Sequence, residues 1–545
     1  MTIADPTASL ESQSRWERFE SILVRLSEWF NPILVKEARQ ALKSRQFLIT
    51  FTLLLICGWG WSLLGLAMIL SGSYSMSAGA HMLSGYYAIL AFPLFVIVPF
   101  TAFRSLAMER EDRTYELLSI TTLRPRQIIG GKLGTAVLQM IVYFSALAPC
   151  IAFTYLLRGI DIVSIVFLLA YTFYVSVLLS VAGLFLATVA KARHWQVVMS
   201  VAIILGLTWL YFGAVSITSM QLTMMGSLIY DNSDFWTAHA MAVISLGSYG
   251  VLVFYAAAAA ISFASDNRAT RLRVVLAIQQ FILIGLTTYL WIQIEESEIL
   301  AVGLTLAGIH WAIIGAMMTG ESPQISQRVS RNLPHTVMGR LYLSLFTPGP
   351  ATGYLFVIAN MLTIVATFAG LIAVVEVFDV GTVNQANWIL LFGFLFWCYI
   401  ATYLGIGKLV MDGMRRANRT GPQLGLLVNL LLVLIASLGV TTIQWSFYDY
   451  RYQETYTMLQ IANPFWTLGE FVDNGWRNTI LTQTQPAALI LGATSVLAIY
   501  FNLIANARQI RRQRQATPQR VLEDEAELHP RRVEQPKAAR SPWDE

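Results

Sequence analysis

Apolar runs of similar length recur along the chain, separated by short polar segments. A helix needs about 20 mostly apolar residues to cross a hydrocarbon core of ~30 Å. Twelve runs meet that length, at approximately 47–70, 82–103, 133–156, 162–190, 195–220, 238–264, 274–293, 299–319, 351–375, 388–407, 424–443 and 487–504. The pattern predicts an all-α polytopic membrane bundle of about twelve transmembrane helices.

The region ahead of the first run has a different period. Trp16, Phe19, Ile22, Leu23, Leu26 and Phe30 recur at helical spacing among Arg15, Glu17, Arg18, Glu20 and Arg25. Ile33, Leu34, Val35, Ala38 and Leu42 continue the apolar side beside Lys36, Arg39, Lys43 and Arg45, with Asn31-Pro32 breaking or kinking the helix between. A basic amphipathic helix of this kind is expected to lie in the membrane interface.

The charges sort by loop. Basic residues gather in alternate loops, at 104–132, 191–194, 265–273, 320–350 and 408–421. The intervening loops hold only Arg158, Arg451 and Arg477 and carry acids such as Asp161, Asp231, Asp234, Glu295, Glu296, Asp449 and Glu470. The positive-inside rule then places both termini in the cytoplasm, with the protein as a multi-pass component of the inner membrane. The twelve runs divide six and six. In each half the long basic loop follows the second run, and the longest acidic-side segment precedes the sixth and contains Phe-Trp-Thr, at 235–237 and 465–467. The expected organisation is a cytoplasmic segment with the amphipathic helix (1–46), two six-helix halves (47–264 and 265–505) and a disordered charged tail (506–545).

Composition agrees with a membrane class. Hydrophobic residues make up 56% of the 545 residues and charged residues 13%, against about 25% charged in soluble domains. The net charge is a modest +5, and its distribution, with basic residues clustered in alternate loops, is a topology signal and not a nucleic-acid footprint. Cys57, Cys150 and Cys398 lie in apolar runs without metal-site or disulfide spacing. No metal or cofactor is expected.

The most charged internal stretch is RSLAMEREDRTYELLSITTLRPRQIIGGK, 104–132. Its first part has helical character and Pro125 should end that helix, because proline disfavours the α conformation at Arg124. Read from its residues alone, the stretch is either a solvated loop that fixes topology or a docking helix that receives force from another protein. It resembles the loop in permease subunits of ABC transporters of the type-two, exporter-like class. That family shows a pattern close to E-R-E-x-G-T-x-E-L-L, then T-P-L, a short gap and I-x-x-G-K. Glu109, Arg110, Glu111, Thr114, Glu116, Leu117, Leu118, Leu123, Ile128, Gly131 and Lys132 match; Arg113 stands where the family has Gly, and Thr122 where it has Pro. NPILVKEARQALKSR, 31–45, also resembles that family's elbow helix, which helps form the ATPase-facing surface. The resemblance implies a separate ABC ATPase subunit docking on Glu109, Arg110, Glu111, Arg113, Glu116 and Leu117. Membrane lipids are the other expected partner. Whether two chains pair as a homodimer or one chain acts as a pseudo-dimer stays open, as does the substrate. The second-half loop keeps Thr347-Pro348 and lacks the E-R-E block.

Asn463, Pro464, Phe465, Trp466 and Glu470 resemble the same family's N-P-x-x-x-x-x-E stretch, where short re-entrant helices seal the outer mouth. Trp466 and Trp476 would equally fit an interfacial aromatic belt.

No Gly-x-x-x-x-Gly-Lys-Ser/Thr stretch is present, so ATP hydrolysis is expected on another chain and no catalytic residues are assigned here. The predicted membrane interiors contain no Asp, Glu, Lys or Arg. His310 is their one conspicuous titratable group, read as a functional candidate or as a histidine hydrogen-bonded to a neighbouring helix. A twelve-helix secondary transporter of the major facilitator type is the alternative function. Its expected membrane carboxylate, compact Gly- and Arg-rich loop and long central linker are missing. A non-transporting membrane scaffold is a third.

Overall fold

A bilayer offers the backbone no hydrogen-bond partners, so a spanning segment must satisfy its own N–H and C=O groups. The helices do this. The computed structural model describes residues 31–71, 78–111, 123–157, 159–189, 193–225, 230–263, 265–331, 336, 339, 344–378, 387–417, 420–447, 456–476, 484–510 and 519–528. Among these residues there is no strand, and twelve helices are long and apolar enough to cross a membrane. The protein is an all-α, multi-pass membrane protein. The chain divides after Ser262 into two compact units.

In the first unit α1 (Pro32–Leu42) leads into α2 (Arg45–Leu70). The second span is α3 (Ala78–Phe92), a π turn (Pro93–Ile97) and α4 (Val98–Glu111) in one run. α5 (Pro125–Leu156), α6 (Ile162–Val189), α7 (Arg193–Met225) and α8 (Ser233–Ile261) complete it. The π turn has an identifiable partner. Ser176 Oγ on α6 donates to the Leu94 carbonyl at 2.5 Å, capping an oxygen inside the distorted turn. Packing is interior to the second span, where Tyr86, Leu90, Leu94, Phe103 and Leu106 are inaccessible. Trp59, Leu63, Trp209 and Phe212 on α2 and α7 face outward, as a lipid-facing surface requires.

The second unit holds α9 (Ala269–Ile294), α10 (Glu298–Thr319), the short α11 (Gln327–Arg331), a 3-10 turn at Ser344–Phe346 and α12 (Pro350–Phe378). α13 (Asn387–Arg415) follows. The next span is α14 (Pro422–Leu434), a π turn (Ile435–Gly439) and α15 (Val440–Phe447). A 3-10 turn (Met458–Ala462), α16 (Pro464–Trp476) and α17 (Thr484–Ile510) come next, and Gln519–Leu528 in the tail is a further helix, α18. α10 is central, packed by α9, α12, α13 and α14, and its Trp311 is 1% exposed.

The span count agrees with the hydrophobic pattern, but several helix ends lie beyond it, three of them at basic residues that matter below. α5 begins at Pro125 and not near Leu133, α9 at Ala269, and α13 runs through Arg415 instead of ending near Gly407. Charged residues assigned to loops therefore sit inside helices, at ends beyond the apolar runs. The physical reason is that hydropathy reports the apolar middle of a span. A helix end rich in Arg, Gln and Lys continues wherever those side chains find partners.

Candidate functional site

The basic-loop end of the first unit is built on a close approach. Asn31 is the N-cap of α1, its Oδ1 accepting from the Ile33 N–H at 3.1 Å, and its Nδ2 donates to the Gln127 carbonyl on α5. α1 then lies across the start of α5. A Cβ on Gly131 would come within 2.9 Å of Ile33, and one on Gly134 within 2.9 Å of Leu34. Glycine at both positions lets the two helices meet at this spacing.

That contact buries Lys132, whose side chain is 1% exposed. Its Nζ donates to Glu37 Oε1 on α1 at 2.5 Å and to Glu109 Oε1 on α4 at 2.9 Å. A third, longer bond reaches the Ser105 carbonyl at 3.4 Å. One ammonium thus ties three helices together at the foot of the 112–122 segment. Burial pushes the Glu37 carboxyl above the usual carboxylate range; the Lys132 charge opposes this, and the neighbouring Glu109 adds to it. Two carboxylates share one cation here, so the triad is short of positive charge.

Of the residues expected to dock an ATPase, Glu109 is the one engaged with Lys132, with 22% of its side chain exposed. Glu111 is exposed at the end of α4, and Arg110 lies beside it in the helix. Arg113, Glu116 and Leu117 fall outside the described residues. Pro125 is the first residue of α5, with Arg124 as its N-cap in extended geometry, so the proline starts this helix.

The second unit closes its basic end differently. Arg273 on α9 is wholly buried. Its Nη1 donates to the carbonyls of Leu345 and Thr347, both at 2.6 Å, and to Thr352 Oγ1 at 3.0 Å. Its Nη2 donates to Glu321 Oε2 at 2.8 Å and to the Gly349 carbonyl at 3.2 Å. Glu321 also accepts from the Gly349 N–H at 2.8 Å. Next to this knot Lys408 donates to Asp412 at 2.6 Å, and Arg415 binds Asp412 and the carbonyls of Thr319 and Glu321. Gly320 meets Gly421 backbone to backbone: a Cβ on Gly320 would lie 2.1 Å from the Gly421 oxygen.

On the acidic side the 456–476 segment packs back onto α13, α15 and α17. Asn463 N-caps α16, accepting from the N–H groups of Phe465 and Trp466 at 3.2 and 3.3 Å. Its Nδ2 reaches Gln460 Oε1 and Thr441 Oγ1. Gln444 and Gln460, both fully buried, bond at 2.7 Å. Tyr399 and Tyr403 on α13 donate to the carbonyls of Ile461 and Ala462. Tyr403 lies about 12 residues, or ~18 Å of helix, from Arg415, so the turn reaches well into the length of α13. Pro464 is buried, Phe465 is 71% exposed, and Trp466 and Glu470 are half-buried. His310 is half-buried beside Trp311, ring centroids 5.2 Å apart.

Sequence reasoning missed Lys132, Glu37, Arg273, Lys408 and Gln444 as organising groups. Lys132 was in view only as the last letter of a motif. Arg273 and Lys408 stand immediately beside the apolar runs 274–293 and 388–407, and nothing in the sequence separates them from the other loop cations.

No family model, no curated protein and no solved structure matches the chain.

Proposed function

We propose that this chain is the membrane-spanning permease subunit of an ABC-type transporter of the type-two class, set in the inner membrane with both termini cytoplasmic. A separate ATPase subunit docks on the 104–132 loop and drives movement of the substrate. The observation that supports this most is the Lys132 triad. A docking element must transmit a push, and its base must not yield. Lys132 joins the two helices that flank the loop to the amphipathic α1. Removing one member of a buried ion pair costs about 3–5 kcal/mol, so the base resists separation of the three helices. A loop that only sets topology needs its charges in water and no such base.

Glu109 belongs to the base in this reading, and the contact surface is Glu111, Arg110, Arg113, Glu116 and Leu117. On the opposite side Asn463, Pro464, Phe465, Trp466 and Glu470 form the outer gate. Their turn is held into the bundle by amide and hydroxyl groups rather than ionised ones.

The test is reconstitution in liposomes with the cognate ATPase. Glu111→Ala with Glu116→Ala should leave membrane insertion intact and uncouple hydrolysis from transport, because the arginines that set topology remain. Leu117→Asp should be worse, placing a charge on the packing face. Co-purification and coupling equal to the parent's would sink the docking assignment. Transport by the chain alone, without nucleotide, would favour the major facilitator reading.

A further inference from the structure

A cleft of about 320 Å³ lies at the basic-loop end of the first unit, lined by Arg124, Arg126, Gln127, Phe254 and Tyr255. Its two walls differ in chemistry. Arg124 and Arg126 stand at the start of α5, the first exposed and the second half-buried. Among the described residues no carboxylate pairs with either, whereas Lys132, one and a half turns on, has two. Phe254 and Tyr255 form the other wall, on α8, with their rings edge to face at 5.8 Å. The Phe254 ring covers Gly130, 3.9 Å from where its Cβ would be.

The depth of the cleft follows from helix length. α8 has 29 residues, ~43 Å at 1.5 Å per residue, against a core of ~30 Å. Tyr255 stands about six residues, or ~9 Å, inside its Ile261 end. The aromatic wall therefore meets the edge of the hydrocarbon and the guanidinium wall meets the headgroup layer.

We propose that this cleft binds an anionic phospholipid, with the phosphate between the Arg124 and Arg126 guanidiniums and the glycerol and first acyl carbons against Phe254 and Tyr255. Planar guanidiniums present paired N–H donors that match phosphate oxygens, and basic pockets between membrane helices bind such headgroups. A free phosphate would use the arginines and leave the aromatic wall idle; the lipid uses both. The inference is independent of the ABC reading, since it needs no ATPase.

The experiment places the purified full-length chain in phosphatidylcholine nanodiscs containing a photoactivatable phosphatidylglycerol and maps crosslinked peptides. Crosslinks are expected on the segments around 124–130 and 250–258. Arg124→Ala with Arg126→Ala should lower them about tenfold or more, since each basic residue near the surface contributes appreciably to anionic-lipid attraction. Arg39→Ala with Lys43→Ala, which removes the same charge from exposed positions on and just beyond α1, should leave them unchanged. An equal loss in that control would reduce the binding to general electrostatics and overturn the proposal. On the parent protein, which removes any question of a misfolded variant, a photoactivatable phosphatidylcholine should label the cleft far more weakly. Equal labelling by the two lipids overturns the proposal, as does full displacement of phosphatidylglycerol by millimolar inorganic phosphate, which would make this a phosphate site.

Discussion

The basic ends of the two units fasten a long loop in opposite ways. In the first, Lys132 holds the helices that flank the 112–122 segment, and among the described residues its partners are Ser105, Glu109 and Glu37. In the second, Arg273 binds the returning loop itself, through the carbonyls of Leu345, Thr347 and Gly349. A lysine is a compact charge with three donors and suits a junction of side chains. An arginine offers five donors in a fixed fork and suits a backbone that must be held at several points. One junction ties three helices together; the other ties a returning loop to its own core.

The largest effect expected from breaking the contrast is Arg273→Met. It strips three carbonyls of a donor and leaves Glu321 without its cation, so the second unit should lose about 3–5 kcal/mol in denaturant titration of the micelle-solubilised protein. New proteolytic cuts should appear near 344–349. A loss below about 1 kcal/mol would mean the loop is held by something else.

Lys132→Met should cost somewhat less, about 2–4 kcal/mol, because it takes a donor from one backbone carbonyl, that of Ser105, where Arg273→Met takes one from three. Adding Glu37→Gln and Glu109→Gln to that variant should recover most of the loss, since uncompensated buried charge is the main cost. No recovery would show that lost packing, and not charge, dominates.

A smaller contrast sits on the acidic side, where the two Phe-Trp-Thr copies each open a helix behind an asparagine cap. Asn232 accepts from the Asp234 N–H in an exposed setting; Asn463 is buried and bonded to Gln460 and Thr441 as well. Asn463→Ala should cost about 1–2 kcal/mol and Asn232→Ala about 0.5–1 kcal/mol, by the same titration. Equal effects would remove the distinction between a helix start and a pinned re-entrant turn.

The smallest expected effect is one of pH. Glu37 is raised above its ordinary value of 4.5, so the folded unit holds that proton more tightly than the unfolded chain. Its burial cost is fully present above the raised value and is relieved as pH falls from there toward 4.5. Between those limits the difference in first-unit stability between the parent and Glu37→Gln should move in the parent's favour as pH falls. A change in the opposite direction would mean that Lys132 outweighs burial.

The membrane class, the all-α bundle and the number of spans were legible in the hydrophobic pattern, because apolar runs of bilayer length with no strand-like alternation are spanned by helices that pair their backbone groups internally. It also placed the amphipathic character of α1, which starts at Pro32 behind the Asn31 cap; the stretch 16–30 lies outside the described residues. The tertiary structure decided which polar groups matter. Lys132, Arg273 and Lys408 read as loop cations because hydropathy gives every charge near a helix end the same meaning. Only packing distinguishes Arg126, which has no carboxylate partner among the described residues, from Lys132, which has two. Gln444 and Gln460 were silent for a related reason. An amide in an apolar run carries no sign of its partner, and theirs is 16 residues away across a turn. Local sequence fixes where a side chain stands on its helix, while the cost of burying it depends on what a distant segment brings to meet it.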